Sequence, residues 1–386
     1  MKKEMEVYLD NSSTTRCYKE CAELVAEIMY NSYGNPSSLH RKGIEAEKRI
    51  KHAKEQVAET LKVSPSEIYF TSGGTEADNL AILGVCGANR GKHILSTSIE
   101  HPAVLNTLRE LENRGYVVDL LPVQKDGTVD INKLSKAIRK DTVLVSVMHV
   151  NNEIGTIQPV EKIGKIVKRE NPSTIFHVDA VQSYGKIPFT AASLGADLIS
   201  LSSHKVHGPK GMGALYVKNK VKIEPMIFGG GQQNNLRPGT ENVPGIAGFG
   251  FAAQRACEKT EEKAYKMSQL RDMLKNGIIS NISDVAINTP EENAAPHILN
   301  ISFAYVKSEV LLHSLEADGI YVSSGSACSS HKKGPSYVLS AIGTDRKLID
   351  GSIRFSLSEF TTEDEIRYTI EKVTENVKKI RKLLKK

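Results

Sequence analysis

The chain reads Asp197-Leu-Ile-Ser-Leu-Ser-Ser-His-Lys-Val-His-Gly-Pro-Lys-Gly211 near its middle, and this stretch decides the fold. Its apolar run, Leu198–Ser202, predicts a buried strand that ends in His204 and Lys205. In α/β sheets, ligands bind at the edge formed by the carboxyl ends of the strands. A lysine at that edge can form a Schiff base with a carbonyl cofactor.

Similar apolar runs recur on both sides of this stretch. The predicted strands are Ile68–Thr71, Lys92–Ser96, Val117–Pro122, Val143–Val147, Ile175–Val178, Leu198–Ser202 and Gly213–Val217. Segments with apolar residues at helical spacing separate them, among them Thr75–Gly84, Pro102–Arg114 and Pro159–Arg169. Alternating strands and helices predict a large α/β domain whose seven-stranded sheet is mainly parallel.

After about residue 245 the pattern changes to that of a smaller α+β domain. We predict one or two long helices over 245–279, then Ile298–Phe303 (strand), Ser308–Asp318 (helix), Ile320–Ser323 (strand), Tyr337–Ala341 (helix), Ser352–Ser356 (strand) and Glu363–Lys386 (helix). Thr362 and Glu365 predict a capping box before the last helix. We therefore divide the chain into an N-terminal segment, 1–15, that packs with the small domain, a large domain, 16–255, and a small domain, 256–386.

Composition excludes several classes of protein. The chain has 386 residues, 40% of them apolar, and its 51 basic and 45 acidic side chains leave a net charge of only +6. This charge argues against nucleic-acid binding driven by electrostatics alone. No apolar run is long enough to span a membrane, and no signal peptide is recognisable, so we expect a cytoplasmic protein. Five cysteines are expected to be free thiols.

A glycine-rich turn follows the first predicted strand, in Ile68-Tyr-Phe-Thr-Ser-Gly-Gly-Thr-Glu-Ala-Asp-Asn79. The free N–H groups at the start of the next helix form a natural phosphate cradle, to which Thr75 can add a hydroxyl. Gly73 and Gly74 would let the backbone approach the anion. The alternative is an ordinary strand–turn–helix junction in which Thr75 is the helix cap.

Polar residues also follow three other strands. Asp179 ends the strand 26 residues before Lys205, so the two should lie at neighbouring strand ends and face one pocket. A buried aspartate needs a cationic partner, and a protonated heterocyclic nitrogen would serve. His101 and Asn152 occupy comparable positions. The alternative for each is a plain helix or turn cap.

Two further candidates lie in the small domain. Cys328 is at the centre of a Ser/Gly-rich loop, 323–335, in which His331, Lys332 and Lys333 would favour its thiolate. For the remaining cysteines, Cys17, Cys21, Cys86 and Cys257, we expect inert thiols. Arg354 lies within a strand and can hold a substrate carboxylate or form a salt bridge between domains.

Together, the phosphate cradle, strand-end acid, strand-end lysine, histidine and arginine are the parts of a pyridoxal-phosphate enzyme. The chain resembles the cysteine desulfurases of the NifS/IscS family, which have the fold-type I architecture of the class V aminotransferases. The resemblance covers nearly the whole chain. It rests on Tyr8-Leu-Asp-Asn11, Gly34-Asn-Pro-Ser-Ser38, His149-Val-Asn-Asn-Glu-Ile-Gly155, Ser202-Ser-His-Lys-Val-His-Gly-Pro-Lys-Gly211, Arg237-Pro-Gly-Thr240 and Ser323-Ser-Gly-Ser-Ala-Cys328.

The resemblance implies a role for each site residue. Lys205 would bind pyridoxal 5'-phosphate covalently, His101 would stack on its ring, and Lys205, His101 and Cys328 would be catalytic. The other cofactor contacts would be Gly74, Thr75, Asn152, Asp179, Gln182, Ser202, Ser203, His204 and, from the second subunit of a homodimer, Thr240. Asn35, Asn152 and Arg354 would hold the substrate. No resident metal is implied, although Cys328 could ligate an iron–sulfur cluster transiently with a scaffold partner.

The implied activity is the removal of sulfur from L-cysteine, which gives L-alanine and a persulfide on Cys328. The sulfur would pass to an iron–sulfur scaffold or a tRNA-thiolation enzyme, with no direct contact to nucleic acid or membrane. A selenocysteine lyase, an aminotransferase of the same class and a non-catalytic binding protein are the alternatives. Replacing Cys328 separates them, because transamination has no use for a thiol there.

Overall fold

The computed structural model of the chain describes residues 5–324 and 334–384. Its strands there are β1 (Val7–Tyr8), β2 (Ile68–Thr71), β3 (His93–Thr97), β4 (Val117–Leu121), β5 (Thr142–Met148), β6 (Ile175–Asp179), β7 (Leu198–Ser202), β8 (Gly213–Val217), β9 (Val285–Ile287), β10 (Ile298–Phe303), β11 (Ile320–Tyr321), β12 (Ser323–Ser324) and β13 (Ser352–Ser356). Its α-helices are α1 (Lys19–Asn31), α2 (Arg41–Leu61), α3 (Gly74–Ala88), α4 (Pro102–Asn113), α5 (Ile131–Ala137), α6 (Val160–Glu170), α7 (Ala191–Leu194), α8 (Val243–Cys257), α9 (Thr260–Asn281), α10 (Ser308–Ala317), α11 (Tyr337–Ala341), α12 (Arg346–Ile349) and α13 (Glu363–Leu384). Short 3₁₀ turns lie at Pro65–Glu67, Ser203–Lys205 and Gln232–Asn235.

The central sheet has the predicted seven strands, in the order β2-β8-β7-β6-β5-β3-β4. The strands from β7 to β4 run parallel, whereas β8 is antiparallel to both of its neighbours, β7 and β2. This confirms the predicted α/β class and the mainly parallel sheet. Met148, Asp179 and Ser200 are register partners, so the carboxyl ends of β5, β6 and β7 lie side by side.

Burial explains why these segments are strands. Every residue of β5, β7 and β8 is buried, as expected for strands that helices cover on both faces. Small residues allow the helices to pack closely: a Cβ on Gly250 of α8 would lie 2.7 Å from the Cα of Ala53 in α2. The result is a rigid base beneath the carboxyl edge of the sheet.

A second, antiparallel sheet has the order β12-β13-β10-β9, and β1 pairs with β11 in a separate two-stranded ribbon. The predicted single strand Ile320–Ser323 is wrong. Ile320–Tyr321 pairs in parallel with Val7–Tyr8, and the chain then changes partner so that Ser323–Ser324 pairs with β13. The apolar pattern of the segment is continuous, but its hydrogen-bond partners come from opposite ends of the chain.

The last helix is capped as predicted. The Thr362 N–H donates to Glu365 Oε2 at 2.7 Å, and the Glu365 N–H donates to Thr362 Oγ1 at 3.3 Å. Val7 and Leu9 share one apolar cluster with residues of β10, β13 and α13. Across residues 5–324 and 334–384, no helix is both long and apolar enough to cross a bilayer.

Candidate active site

A buried cavity of about 200 Å³ lies at the carboxyl edge of the central sheet. It is lined by Ser12, Gly74, Thr75, Asp78, His101, Met148, Asn152, Asp179, Val181, Gln182, Ser202, His204 and Lys205. Nine of these residues were predicted from the sequence, and they come from loops that follow five different strands. Parallel strand direction is the reason that such distant segments meet at one edge.

Lys205 enters the cavity from the 3₁₀ turn that follows β7. Its Nζ donates hydrogen bonds to the carbonyl oxygens of Ser12 at 2.5 Å and Ser13 at 2.6 Å. The turn itself is fixed by Thr15, whose N–H and hydroxyl both donate to the His204 carbonyl at 2.9 and 3.0 Å. The N-terminal segment therefore positions the lysine, although 190 residues of sequence separate them.

Asp179 is the last residue of β6, and its Oδ1 accepts a hydrogen bond from the Val181 N–H at 2.9 Å. Burial raises the pKa of Asp179 to about 6, against the opposing effects of the Val181 hydrogen bond and the Lys205 charge. A cation placed beside Asp179 would stabilise the carboxylate. The residue therefore suits a protonated ring nitrogen.

A polar network continues below Asp179 into the sheet. His177 contacts Ser146 Oγ through Nδ1 and Ser200 Oγ through Nε2, both at 2.9 Å. Burial lowers the pKa of His177 to about 3, so its ring is neutral. Burial and the neighbouring Asp179 raise the pKa of Asp78 well above its usual value. The support for Asp179 is thus polar, and burial disfavours a charge on both His177 and Asp78.

The opposite end of the cavity suits an anion. Helix α3 begins at Gly74, and a Cβ there would lie 2.8 Å from Val181 Cγ2 and 3.5 Å from Ser202 Cβ. Only glycine allows this close approach of the helix start to the cavity wall. Thr75, Ser202 and His204 line the same cavity, next to the free N–H groups of the first turn of the helix.

The donor set fits pyridoxal phosphate, the predicted cofactor. Several lining residues have buried polar atoms with no hydrogen-bond partner among residues 5–324 and 334–384, namely Ser12 Oγ, Asn152 Oδ1, Gln182 Oε1 and Ser202 Oγ. Such atoms are costly unless a ligand satisfies them. A helix start for the phosphate, an acid for the ring nitrogen and a lysine for the aldehyde are therefore present in one cavity.

His101 forms a wall of the cavity and also caps α4. Its Nδ1 accepts a hydrogen bond from the Ala103 N–H at 3.1 Å, so the neutral ring carries its proton on Nε2. Burial, helped by the Lys205 charge, lowers the pKa of His101 to about 4. At neutral pH the ring is uncharged and can stack on a flat cofactor or donate one proton.

Arg354 is buried in β13 and forms an ion pair with the N-terminal segment. Its Nη2 donates to Asp10 Oδ1 at 2.8 Å and to Ser13 Oγ at 2.7 Å, while Nη1 donates to the Asn152 carbonyl at 2.8 Å. Its Nε is buried and has no partner among the described residues. The arginine therefore joins the N-terminal segment to a residue of the cavity and keeps one donor for a further ligand.

The other predicted site residues do not line this cavity. Ser203 is buried and packs against Gly208, where a Cβ would lie 2.2 Å from its Oγ. Asn35 is exposed and its Oδ1 accepts the Ser37 N–H, and Thr240 is also exposed. Cys328 lies outside the described residues. Within residues 5–324 and 334–384, no cluster of three or more His, Cys, Asp or Glu side chains could hold a metal ion.

Three of the remaining cysteines are poor nucleophiles. Burial raises the pKa of Cys21 to about 12, that of Cys86 to about 12 and that of Cys257 to about 11. Their thiols are therefore protonated at neutral pH.

Sequence reasoning missed four residues of the cavity: Ser12, Asp78, Met148 and Val181. An aspartate just before the apolar stretch Leu80–Leu83, in a helix that packs on the sheet, was a detectable signal for Asp78. Met148 and Val181 are ordinary apolar residues beside predicted site residues and carry no signal of their own. Ser12 reaches the cavity through contacts with residues far away in the sequence, and no local pattern predicts such contacts.

The aminotransferase class-V family model matches residues 7–368. The chain is 46% identical to cysteine desulfurase IscS of Dictyoglomus turgidum, over 97% of this chain and 95% of that protein. A solved NifS-like protein superimposes with a TM-score of 0.91 at 43% identity and covers 96% of this chain and 99% of its own. The structure of SspA in complex with cysteine gives 0.81 at 35% identity, over 93% of this chain and 100% of its own. The chain therefore belongs to the class V aminotransferase family, and within it to the cysteine desulfurases of the NifS/IscS type.

Proposed function

We propose that this chain is a pyridoxal-phosphate-dependent cysteine desulfurase that converts L-cysteine to L-alanine and leaves the sulfur as a persulfide on Cys328. The observation that carries the proposal is the pairing of Lys205 and Asp179 in one buried cavity, at the ends of neighbouring strands. The similarity to desulfurases over nearly the full chain supports the choice of reaction.

When bound, the cofactor withdraws electrons from the substrate and makes its Cα–H acidic. The phosphate would be held by Gly74, Thr75, Ser202 and His204, with Thr240 added from the second subunit. Asp179 would hold the proton on the ring nitrogen, Gln182 would contact the ring oxygen, and His101 would cover one face of the ring. Burial of these groups excludes water and strengthens each electrostatic contact.

Lys205 would take the Cα proton of the substrate through its Nζ, and His101 would serve as a second proton donor or acceptor through Nε2. The sulfur step balances without an external oxidant. The Cys328 thiolate attacks the substrate sulfur, the C–S bond breaks and an S–S bond forms. The electron pair of the C–S bond stays with the Cβ carbon, which takes up a proton and becomes a methyl group, while the two sulfur atoms are oxidised to the persulfide level.

Arg354, Asn152 and Asn35 would hold the carboxylate of L-cysteine. The buried and unpartnered Nε of Arg354 supports this role, because an arginine donor removed from water favours an anionic partner. The cysteine bound to SspA, a relative of the same fold, is consistent with this choice of substrate. We propose the same division into segment 1–15, large domain 16–255 and small domain 256–386, with Cys328 carried by the last.

We further propose a cytoplasmic homodimer that passes sulfur to an iron–sulfur scaffold or a tRNA-thiolation enzyme. Exposed apolar side chains support a dimer: Met29, Tyr30, Tyr33, Leu39 and Phe228. Leu39 is 95% exposed and Phe228 85% exposed in the single chain, which favours a protein partner that covers them.

The test compares the purified wild type with Cys328→Ala and with Cys17→Ala as the matched control. We would record the visible absorption spectrum and then the sulfide and alanine released from L-cysteine in the presence of a thiol reductant. We expect all three proteins to be yellow, and only Cys328→Ala to lose sulfide release. A yellow protein that releases sulfide equally well without Cys328 would contradict the persulfide mechanism. Amino-group transfer without sulfide release would indicate an aminotransferase.

A further inference from the structure

Lys186 is a buried cation to which no role has been assigned above. The residue is only 5% exposed, and its Nζ donates a hydrogen bond to the carbonyl oxygen of Lys205 at 2.7 Å. Lys186 follows β6, whereas Lys205 follows the neighbouring strand β7. The hydrogen bond therefore joins the segment that follows β6, the strand that ends in Asp179, to the turn that contains Lys205.

The surroundings of Lys186 lack negative charge. In the described part of the chain, no carboxylate oxygen lies within ion-pair distance of its Nζ. The titratable groups that interact with it are Lys205, His204, His207, His297 and Cys257. Burial lowers the pKa of all three histidines, to about 4 for His204 and His207, so they are neutral at neutral pH.

A buried ammonium without a counter-ion costs free energy, because the interior does not replace its hydration. Here the ammonium is directed at the backbone of the lysine that the proposed function assigns to the cofactor. A positive charge close to an amine or imine nitrogen disfavours its protonation. Burial, followed by the Lys205 charge, lowers the pKa of Lys186 itself to about 7, so Lys186 is charged in about half of the molecules at pH 7 and opposes the charge of Lys205 in those molecules.

We propose that Lys186 is a positioning residue for Lys205: its hydrogen bond fixes the backbone of Lys205, and its charge favours the uncharged state of the Lys205 nitrogen. This inference rests on the proposed function, since it takes Lys205 as the residue that binds the cofactor. It adds that Lys186, which does not line the cavity, influences whether the Lys205 nitrogen is protonated.

Four variants separate the two roles. Lys186→Gln keeps a donor for the carbonyl and removes the charge, whereas Lys186→Met removes both, and Lys186→Arg keeps both. Lys263→Met is the matched control, because Lys263 also donates to a backbone carbonyl, that of Arg255 at 2.7 Å, but it pairs with Glu359 and not with Lys205. Thermal unfolding of each cofactor-free protein establishes that the variants fold.

The readout is the pH titration of the visible absorbance of the cofactor-loaded protein. We expect Lys186→Gln and Lys186→Met to raise the midpoint by about 0.5–1 pH unit, and Lys186→Arg and Lys263→Met to keep that of the wild type. We also expect the kcat of Lys186→Met to fall roughly 10-fold below that of Lys186→Gln at an unchanged KM, because only the former releases the Lys205 carbonyl.

Unchanged midpoints in Lys186→Gln and Lys186→Met would overturn the charge role, and equal kcat values in these two variants would overturn the anchoring role. Failure of the proposed function looks different. If the proposed function is wrong, the wild type would show no visible absorbance band that depends on Lys205, and Lys205→Ala would have the same spectrum. The inference about Lys186 would then be wrong as well.

Discussion

Asp179 is an acid that the folded chain holds in an unfavourable place. Burial raises its pKa to about 6 from the ordinary value of 3.8, because the carboxylate loses water that the single Val181 N–H does not replace. A bound cofactor with a protonated nitrogen would supply the missing partner. Without it, the residue works against the stability of the fold at neutral pH.

We therefore expect Asp179→Asn to stabilise the cofactor-free protein and to impair catalysis. Between pH 4 and 6 the folded state binds the proton more tightly than the unfolded state, so the wild type loses stability as the pH rises through 6. The variant lacks this loss and should exceed the wild type by about 1–3 kcal/mol at pH 8, but not at pH 4. Urea unfolding at both pH values measures the difference.

Asp141→Asn, at an exposed ion pair with Arg139, is the control and should show no such gain at pH 8. If Asp179→Asn were less stable than the wild type at pH 8, the carboxylate would already have a strong partner in the cofactor-free chain. Its proposed role toward a ring nitrogen would then be wrong.

At this scale the sequence was informative wherever a functional residue directly follows a strand. Asp179, Lys205 and His101 could be found because strand ends are visible as local apolar runs. Ser12 could not be found, because its carbonyl reaches Lys205 across 193 residues of sequence. No periodicity records such a contact, which depends on how β1 pairs with β11.

Helix α3 shows how one element meets two demands. Its buried residues, which include Leu80 and Val85, pack on the central sheet, while its first turn faces the cavity. The two demands meet at Gly74, which has no side chain and therefore lets the helix start touch Val181 and Ser202. A phosphate held there would contact backbone N–H groups directly.

We expect Gly74→Ala to weaken cofactor binding about 10-fold, because its Cβ must displace Val181 or tilt the first turn of α3. Fluorescence titration of the cofactor-free protein with pyridoxal phosphate measures the affinity. Gly231→Ala is the control: its φ is −78°, and an added Cβ would make only an ordinary contact, 3.6 Å from Asn235 Oδ1. Wild-type affinity in Gly74→Ala would refute the assignment of the helix start to the phosphate.

The segment Ile320–Ser324 marks the limit of prediction for whole elements. Long strands with buried neighbours, such as β5, were predicted to within one residue at each end. The division into β11 and β12 was not predicted, because each strand has only two residues, too few to show an alternation of apolar side chains. The change of pairing partner is determined by tertiary contacts.

On the scale of the whole molecule, the single chain leaves apolar surface uncovered. The exposed residues defined above lie in two segments, Met29–Leu39 and Ile227–Phe228. The second segment precedes Thr240, which is exposed and does not reach the cavity of its own chain. A homodimer would cover the apolar surface and could bring Thr240 to the phosphate of the other subunit.

We expect Phe228→Asp to yield monomers, because burying a carboxylate in an apolar interface costs several kcal/mol. Sedimentation equilibrium measures the mass of each variant. Tyr265→Asp is the control, since Tyr265 is 66% exposed on α9, outside both segments, and its variant should remain dimeric. A wild type that sediments as a monomer would refute the dimer directly.

The turn at Asp10–Ser13 binds both Lys205 and Arg354, and the Ser12 N–H donates to Ser356 Oγ, 344 residues away. During synthesis on the ribosome this turn emerges early, whereas β11 and β13 emerge among the last elements. Until they do, β1 has no strand to pair with, and no nascent fragment contains a complete site. A chain released before β13 is synthesised would lack Arg354, and we therefore expect it to form no persulfide.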